Sequence, residues 1–119
     1  MFVMPEQCGQ WRYLCSELVR VDYEATPGTI QQLDANLEEI SPTAAVLLLD
    51  TSVQRGRTVS FRVQNHRLRG VVDSWVYEPP LGYFVSVSFS DGYRWCEEHF
   101  QPAHLLKLAR PARAKGQDA

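Results

Sequence analysis

Apolar and polar residues alternate along most of the chain with a period of two. That period belongs to half-buried strands, not helices. Leu18, Arg20 and Asp22 alternate with Val19, Val21 and Tyr23, and Pro27-Gly28 then marks a turn. Ile30 to Ile40 follows as a polar, alternating strand, with Leu33, Ala35, Leu37 and Glu39 read onto one face. Ser41-Pro42-Thr43 breaks it. The apolar run Ala44 to Leu49 is read as a strand because it is short and flanked by breakers. After a loop over Asp50 to Gly56, Val59, Phe61 and Val63 alternate with Thr58, Ser60 and Arg62.

Gln64-Asn65 is read as a hairpin turn, on the ground that Asn tolerates a positive φ. His66 to Tyr77 reads as a longer strand with a bend or bulge at Gly70. Glu78-Pro79-Pro80-Leu81-Gly82 is a loop, and Tyr83, Val85, Val87 and Phe89 mark the sixth strand, closed by Ser90-Asp91-Gly92. In Tyr93 to Leu108, Trp95, His99 and Phe100 fall at i, i+4 and i+5, so helical material is expected, broken into short turns by Pro102. Six short strands at close spacing predict a mostly-β barrel or sandwich with a short C-terminal helical segment. Residues 1–108 are read as one domain and residues 109–119 as a frayed tail.

Composition narrows the class. The 119 residues suffice for one core without staples, and 45% hydrophobic with 22% charged residues is ordinary for a globular domain. A net charge of -2 lacks the basic excess of a duplex nucleic-acid binder. The three cysteines, with no Cys-x-x-Cys, argue against a disulfide framework and for a reducing compartment. No secretory leader or membrane-length apolar run is read, so a cytoplasmic protein is expected.

The order of short motifs resembles the PilZ domain family. The carrying residues are Arg12-Tyr13, Ile40-Ser41, Gly56, the run Gly82 to Phe89, and Trp95 to Leu105, so the likeness spans roughly Glu6 to Leu106. The resemblance implies a six-stranded antiparallel barrel, and many PilZ domains bind the bacterial second messenger cyclic di-GMP. The family's ligand motifs are Arg-x-x-x-Arg and Asp/Asn-x-Ser-x-x-Gly. An arginine fork bonds guanine or phosphate in pairs, and a carboxylate accepts from guanine donors. Here Arg12 matches the second arginine, while Cys8 stands where the first would be. Glu39, Ser41 and Ala44 stand at the Asp/Asn, Ser and Gly positions, and Ser86 replaces a common glycine of the last strand. The implied role is a non-enzymatic signalling adaptor with a weakened cyclic di-GMP site (Arg12, Glu39, Ser41, Ala44 and Cys8), acting through a protein partner.

Other clusters carry a second reading. Arg55, Arg57, Arg62, Arg67 and Arg69 fall in a stretch without an acid. If Gln64-Asn65 is a two-residue turn, Arg62 faces Arg67. With alternation unbroken past Gly70, Trp75 and Tyr77 share the outward face of Arg67 and Arg69. Such a face would bind RNA or another polyanion; the plainer account is a solvated sheet surface. Cys96, His99 and His104 are too sparse a set for zinc, and no metal or other cofactor is expected. A Cys–His nucleophile pair, such as Cys15 or Cys96 with His66, has no supporting local pattern.

Overall fold

The structure is a computed structural model, and it describes residues 12–107. These form seven strands: β1 (Tyr13–Thr26), β2 (Thr29–Ile40), β3 (Ala44–Leu49), β4 (Thr58–Val63), β5 (His66–Glu78), β6 (Gly82–Phe89) and β7 (Leu106–Lys107). All pairings are antiparallel, in the order β2-β3-β6-β5-β4-β1, and β1 also pairs with β2. That last pairing closes a six-stranded barrel. β7 is an extra strand lying beside the start of β1, with Tyr13 opposite Lys107.

The predicted alternation becomes the barrel interior. Val21, Leu37, Phe61, Val63, Val72 and Val87 are almost fully enclosed, while Arg20, Arg62, Arg67 and Arg69 stand in solvent. Burying a Val, Leu or Phe side chain stabilises by about 1.5–3 kcal/mol, so each of these residues outweighs any surface ion pair. Trp95 and Phe100 close one end of the barrel, and Val53 of the β3–β4 loop is also buried. Tyr23 reinforces that loop by accepting the Gln54 N–H through its hydroxyl oxygen at 2.9 Å.

Two bulges depart from simple alternation. In β2, Leu37 pairs with Leu47 but Glu39 pairs with Val46, so β2 carries one extra residue. The bulge flips the strand, so Ile40 turns inward and Glu39 remains accessible. In β5, Val72 pairs with Val87 but Ser74 pairs with Ser86, which makes Asp73 the extra residue. Gly70, where a bend or bulge is expected, is instead regularly paired with Val59 and Phe89. Its role is close approach: a Cβ there would lie 2.4 Å from the Ser88 carbonyl oxygen. In the β4–β5 turn, Gln64 takes the left-handed conformation (φ 58°), not Asn65.

The C-terminal helical segment is absent among the described residues. Tyr93 to Leu105 runs as turns and irregular chain before β7. Its backbone groups are taken by the barrel. The Trp95 N–H donates to the Pro42 carbonyl at 2.8 Å, and the Trp95 indole N–H donates to the Phe100 carbonyl at 3.0 Å. One short turn is closed by the His99 N–H donating to the Cys96 carbonyl at 2.9 Å. Pro102 is buried and bars a continuation. Residues 109–119, read as a tail, lie outside the described residues.

Candidate functional site

The β2–β3 connection is a four-residue turn. Both the backbone N–H of Ser41 (2.9 Å) and its hydroxyl (3.2 Å) donate to the Ala44 carbonyl. Pro42 is fully buried at the tip of the turn, and the Thr43 carbonyl accepts the Phe89 N–H at 2.9 Å. The turn is therefore clamped by β6 on one side and by Trp95 on the other. Ala44 has no positive φ, so alanine is unstrained there and the backbone itself does not require glycine.

Beside this turn a cleft of about 240 Å³ opens on the barrel's outer surface, lined by Arg12, Glu39, Ser41, Ala44, Ala45, Val46, Asp73 and Ser86. Four of the positions singled out in the sequence (Arg12, Glu39, Ser41 and Ala44) thus come together. They reach the cleft from different places: the residue ahead of β1, the end of β2, the turn, and the start of β3. Ser86 arrives from β6, where it pairs with Val46 on one side and Ser74 on the other. Cys8 lies outside the described residues.

Asp73 has no counterpart in the sequence reading. It lies on the outward face that Arg67, Arg69 and Val71 already share, at the bulge beside Ser86. One signal was available: aspartate is depleted in strands, and this one stands between Val71-Val72 and Trp75-Val76-Tyr77 in an otherwise strand-like run.

The electrostatics follow from the lining. Arg12 is the cation of the cleft, and Glu39 and Asp73 are its carboxylates, which gives a balance of one negative charge. Arg12 Nη1 lies 3.5 Å from Glu39 Oε2, with the arginine side chain half-exposed. Such an open pair contributes at most about 1 kcal/mol, so the guanidinium is free to re-aim. A nucleotide entering here would meet two acceptors suited to guanine N–H groups and one fork suited to a phosphate or a base edge.

The arginine-rich strands form a different surface. Arg62 does pair with Arg67, and Ser60 with Arg69, as the two-residue turn requires. Arg67 Nη2 donates to Asp22 Oδ2 at 3.4 Å, and Arg20 Nε donates to Asp34 Oδ1 at 2.8 Å. Carboxylates from β1 and β2 thus interleave with these cations. Trp75 and Tyr77 do not share this face. The bulge at Asp73 reverses the alternation, placing Trp75 opposite the inward-facing Val85 and Tyr77 opposite Tyr83.

The remaining candidates are placed as follows. His99 Nδ1 hydrogen-bonds the Tyr93 hydroxyl at 2.7 Å, and His66 stacks on Phe100 with centroids 4.5 Å apart. His104 is exposed, with φ at 60°. Among the described residues, no three His, Cys, Asp or Glu side chains are grouped to hold a metal ion. The buried Cys15 thiol donates to the Leu37 carbonyl at 3.6 Å. Burial, and then the charges of Glu17, Glu38 and Glu39, push its pKa up to about 12. It therefore stays a thiol at neutral pH, the wrong form for a nucleophile. No helix among the described residues is long and apolar enough to cross a membrane. No family model and no curated protein matches the chain.

Proposed function

We propose that this is a PilZ-like, non-catalytic signalling adaptor of the cytoplasm, with an altered cyclic di-GMP cleft and an output through a protein partner. The observation that supports this most is the convergence of Arg12, Glu39, Ser41 and Ala44 on one cleft. The pairing of Tyr13 with Ile40 brings Arg12 beside the turn that carries the other three, the juxtaposition that a shared ligand site requires.

The same cleft argues for weak nucleotide binding. The Ser41 hydroxyl is engaged in closing its own turn. Ala44 adds a Cβ where the family carries glycine, and Cys8 supplies no guanidinium. Loss of one charge-assisted contact costs about 1.5–3 kcal/mol, on the order of tenfold to a hundredfold or more in affinity. The cleft's own balance of one negative charge further opposes a dianionic ligand. The alternative, RNA or another polyanion held on an arginine and aromatic face, is disfavoured. The bulge parts Trp75 from Arg67 and Arg69, and Asp22 and Asp34 already engage neighbouring arginines.

Calorimetric titration with cyclic di-GMP tests the proposal. The wild-type chain is expected to bind weakly, and Cys8→Arg with Ala44→Gly to bind at least about tenfold tighter. Adding Arg12→Ala to that double variant should abolish the gain. Absence of binding by both wild type and double variant would refute the nucleotide cleft.

A further inference from the structure

β5 continues beyond its partner on one side. β4 ends its pairing at Thr58 opposite Val71. Val72 then accepts the Gly56 N–H at 2.8 Å and donates to the Arg57 carbonyl at 2.9 Å. From Ser74 to Glu78, among the described residues, β5 is paired with β6 alone. The direction of the free groups follows from alternation. The Phe89 N–H is directed at Thr43, ahead of β3, so odd-numbered residues of β6 aim their backbone groups at β3 and even-numbered ones at β5. Ser86 and Phe84 thus bond β5 through Ser74 and Val76. The N–H and C=O of Trp75 and Tyr77 are left facing the open edge.

This edge is apolar and, among the described residues, unpaired. Trp75, Val76 and Tyr77 are 41%, 56% and 54% exposed. Tyr83 props Trp75 and Tyr77 from below, with ring centroids 5.2 and 4.7 Å away. Soluble proteins normally blunt such an edge with lysines or by covering it. Here no Lys or Arg occurs from Gly70 to Gly92, and the open stretch is bounded by two carboxylates, Asp73 and Glu78. An antiparallel pairing with a second copy, centred on Val76, would set Glu78 opposite Ser74 and beside Asp73 at both ends, and crowding like charges across a strand pair is destabilising. The same two carboxylates attract a strand that carries cations.

We propose that the β5 edge from Asp73 to Glu78 docks an extended segment of a protein partner by strand addition. The segment presents apolar side chains at alternate positions to Trp75 and Tyr77. It presents Lys or Arg on its other face, near Asp73 and Glu78. Main-chain bonds to Trp75 and Tyr77 hold it, and the alternating side chains select it. The inference deepens the adaptor reading and rests on it for the existence of a protein partner.

The test selects peptides from a random display library on the whole chain and titrates the enriched sequence by fluorescence anisotropy. Enriched peptides are expected to alternate apolar residues between flanking Lys or Arg. Asp73→Asn with Glu78→Gln should weaken binding about three- to tenfold, an effect that shrinks at high salt. Tyr77→Pro removes one edge N–H and should weaken binding at least about tenfold, with a thermal melt to verify folding. Hydrogen exchange at Trp75 and Tyr77 should slow when peptide is added. No enriched sequence, an acidic one, or slowed exchange elsewhere would overturn the proposal. So would slowing at these amides by dimerisation without peptide. Cyclic di-GMP titrated into the Cys8→Arg/Ala44→Gly variant separates the two readings. Nucleotide binding without peptide binding refutes the edge alone, and the reverse refutes the cleft alone.

Discussion

Replacing Trp95 with alanine should bring the protein close to unfolding. The side chain is 1% exposed and meets the Tyr13 ring edge-on at 5.0 Å. Truncating a buried aromatic to alanine costs about 3–5 kcal/mol. Leaving the buried Phe100 carbonyl without its indole donor adds about 1 kcal/mol or more. Against a total stability of roughly 5–15 kcal/mol for a domain of this kind, that is a large share. Trp95→Phe separates the two contributions, since it keeps most of the volume and loses the donor, for a cost of about 1–2 kcal/mol. Urea unfolding followed by far-ultraviolet circular dichroism measures both. The local readout is hydrogen exchange over Ser41 to Ala44, because the Trp95 backbone N–H pins the turn at Pro42. Exchange there should speed up in the alanine variant before the rest of the barrel. An alanine variant within about 1 kcal/mol of wild type would refute the idea that this residue closes the barrel. A phenylalanine variant as damaged as the alanine one would refute the division between packing and hydrogen bond.

Three further outcomes follow from the same geometry. Gly70→Ala should destabilise by about 1–3 kcal/mol in urea unfolding, because the new methyl meets the β6 backbone at Ser88 and the Val87 side chain. The Cys15 pKa is raised in the fold to about 12 from an ordinary 9.0. Its contribution to stability is therefore complete below about pH 9 and is lost as pH rises toward 12. A Cys15→Ser variant should lack that part of the alkaline fall, and native Cys15 should resist thiol reagents at pH 8. Arg62→Thr should stabilise by a few tenths of a kcal/mol at low salt, since it removes the like charge opposite Arg67, and the gain should fade as salt is added.

The strands were legible because alternation and breakers carry their own physical cause. Ala44 to Leu49 and Thr58 to Val63 stand as read, and Pro27-Gly28 and Gln64-Asn65 both turn the chain. What the alternation hid were the bulges. Leu37 and Ile40 are three apart, a spacing that a regular strand cannot bury on one face, and the extra residue in β2 resolves it. The bulge at Asp73 leaves no such trace, because Trp75 and Tyr77 lie beyond the barrel and are exposed on either phase. That single extra residue reverses the phase of Trp75 and Tyr77 and so overturns the expected aromatic face. The helical reading of Tyr93 to Leu108 failed for a different reason. Trp95 and Phe100 do point into the same core, but through hydrogen bonds to the β2–β3 turn and to each other. Tertiary contacts outweighed local spacing. Within the candidate site, Arg12, Glu39, Ser41 and Ala44 were legible through motif order. The net charge of the cleft was not, because it depends on Asp73.

Amide chemical-shift mapping tests whether the proposed cleft responds to a ligand. Cyclic di-GMP is titrated into the labelled Cys8→Arg/Ala44→Gly protein, with the wild type as reference. The predicted result is a set of shifts confined to the neighbourhood of Arg12, Glu39, Ser41, residue 44, Asp73 and Ser86, with the same residues moving less in the wild type. Shifts centred on Arg62, Arg67 and Arg69, or no shifts in either protein, would contradict it.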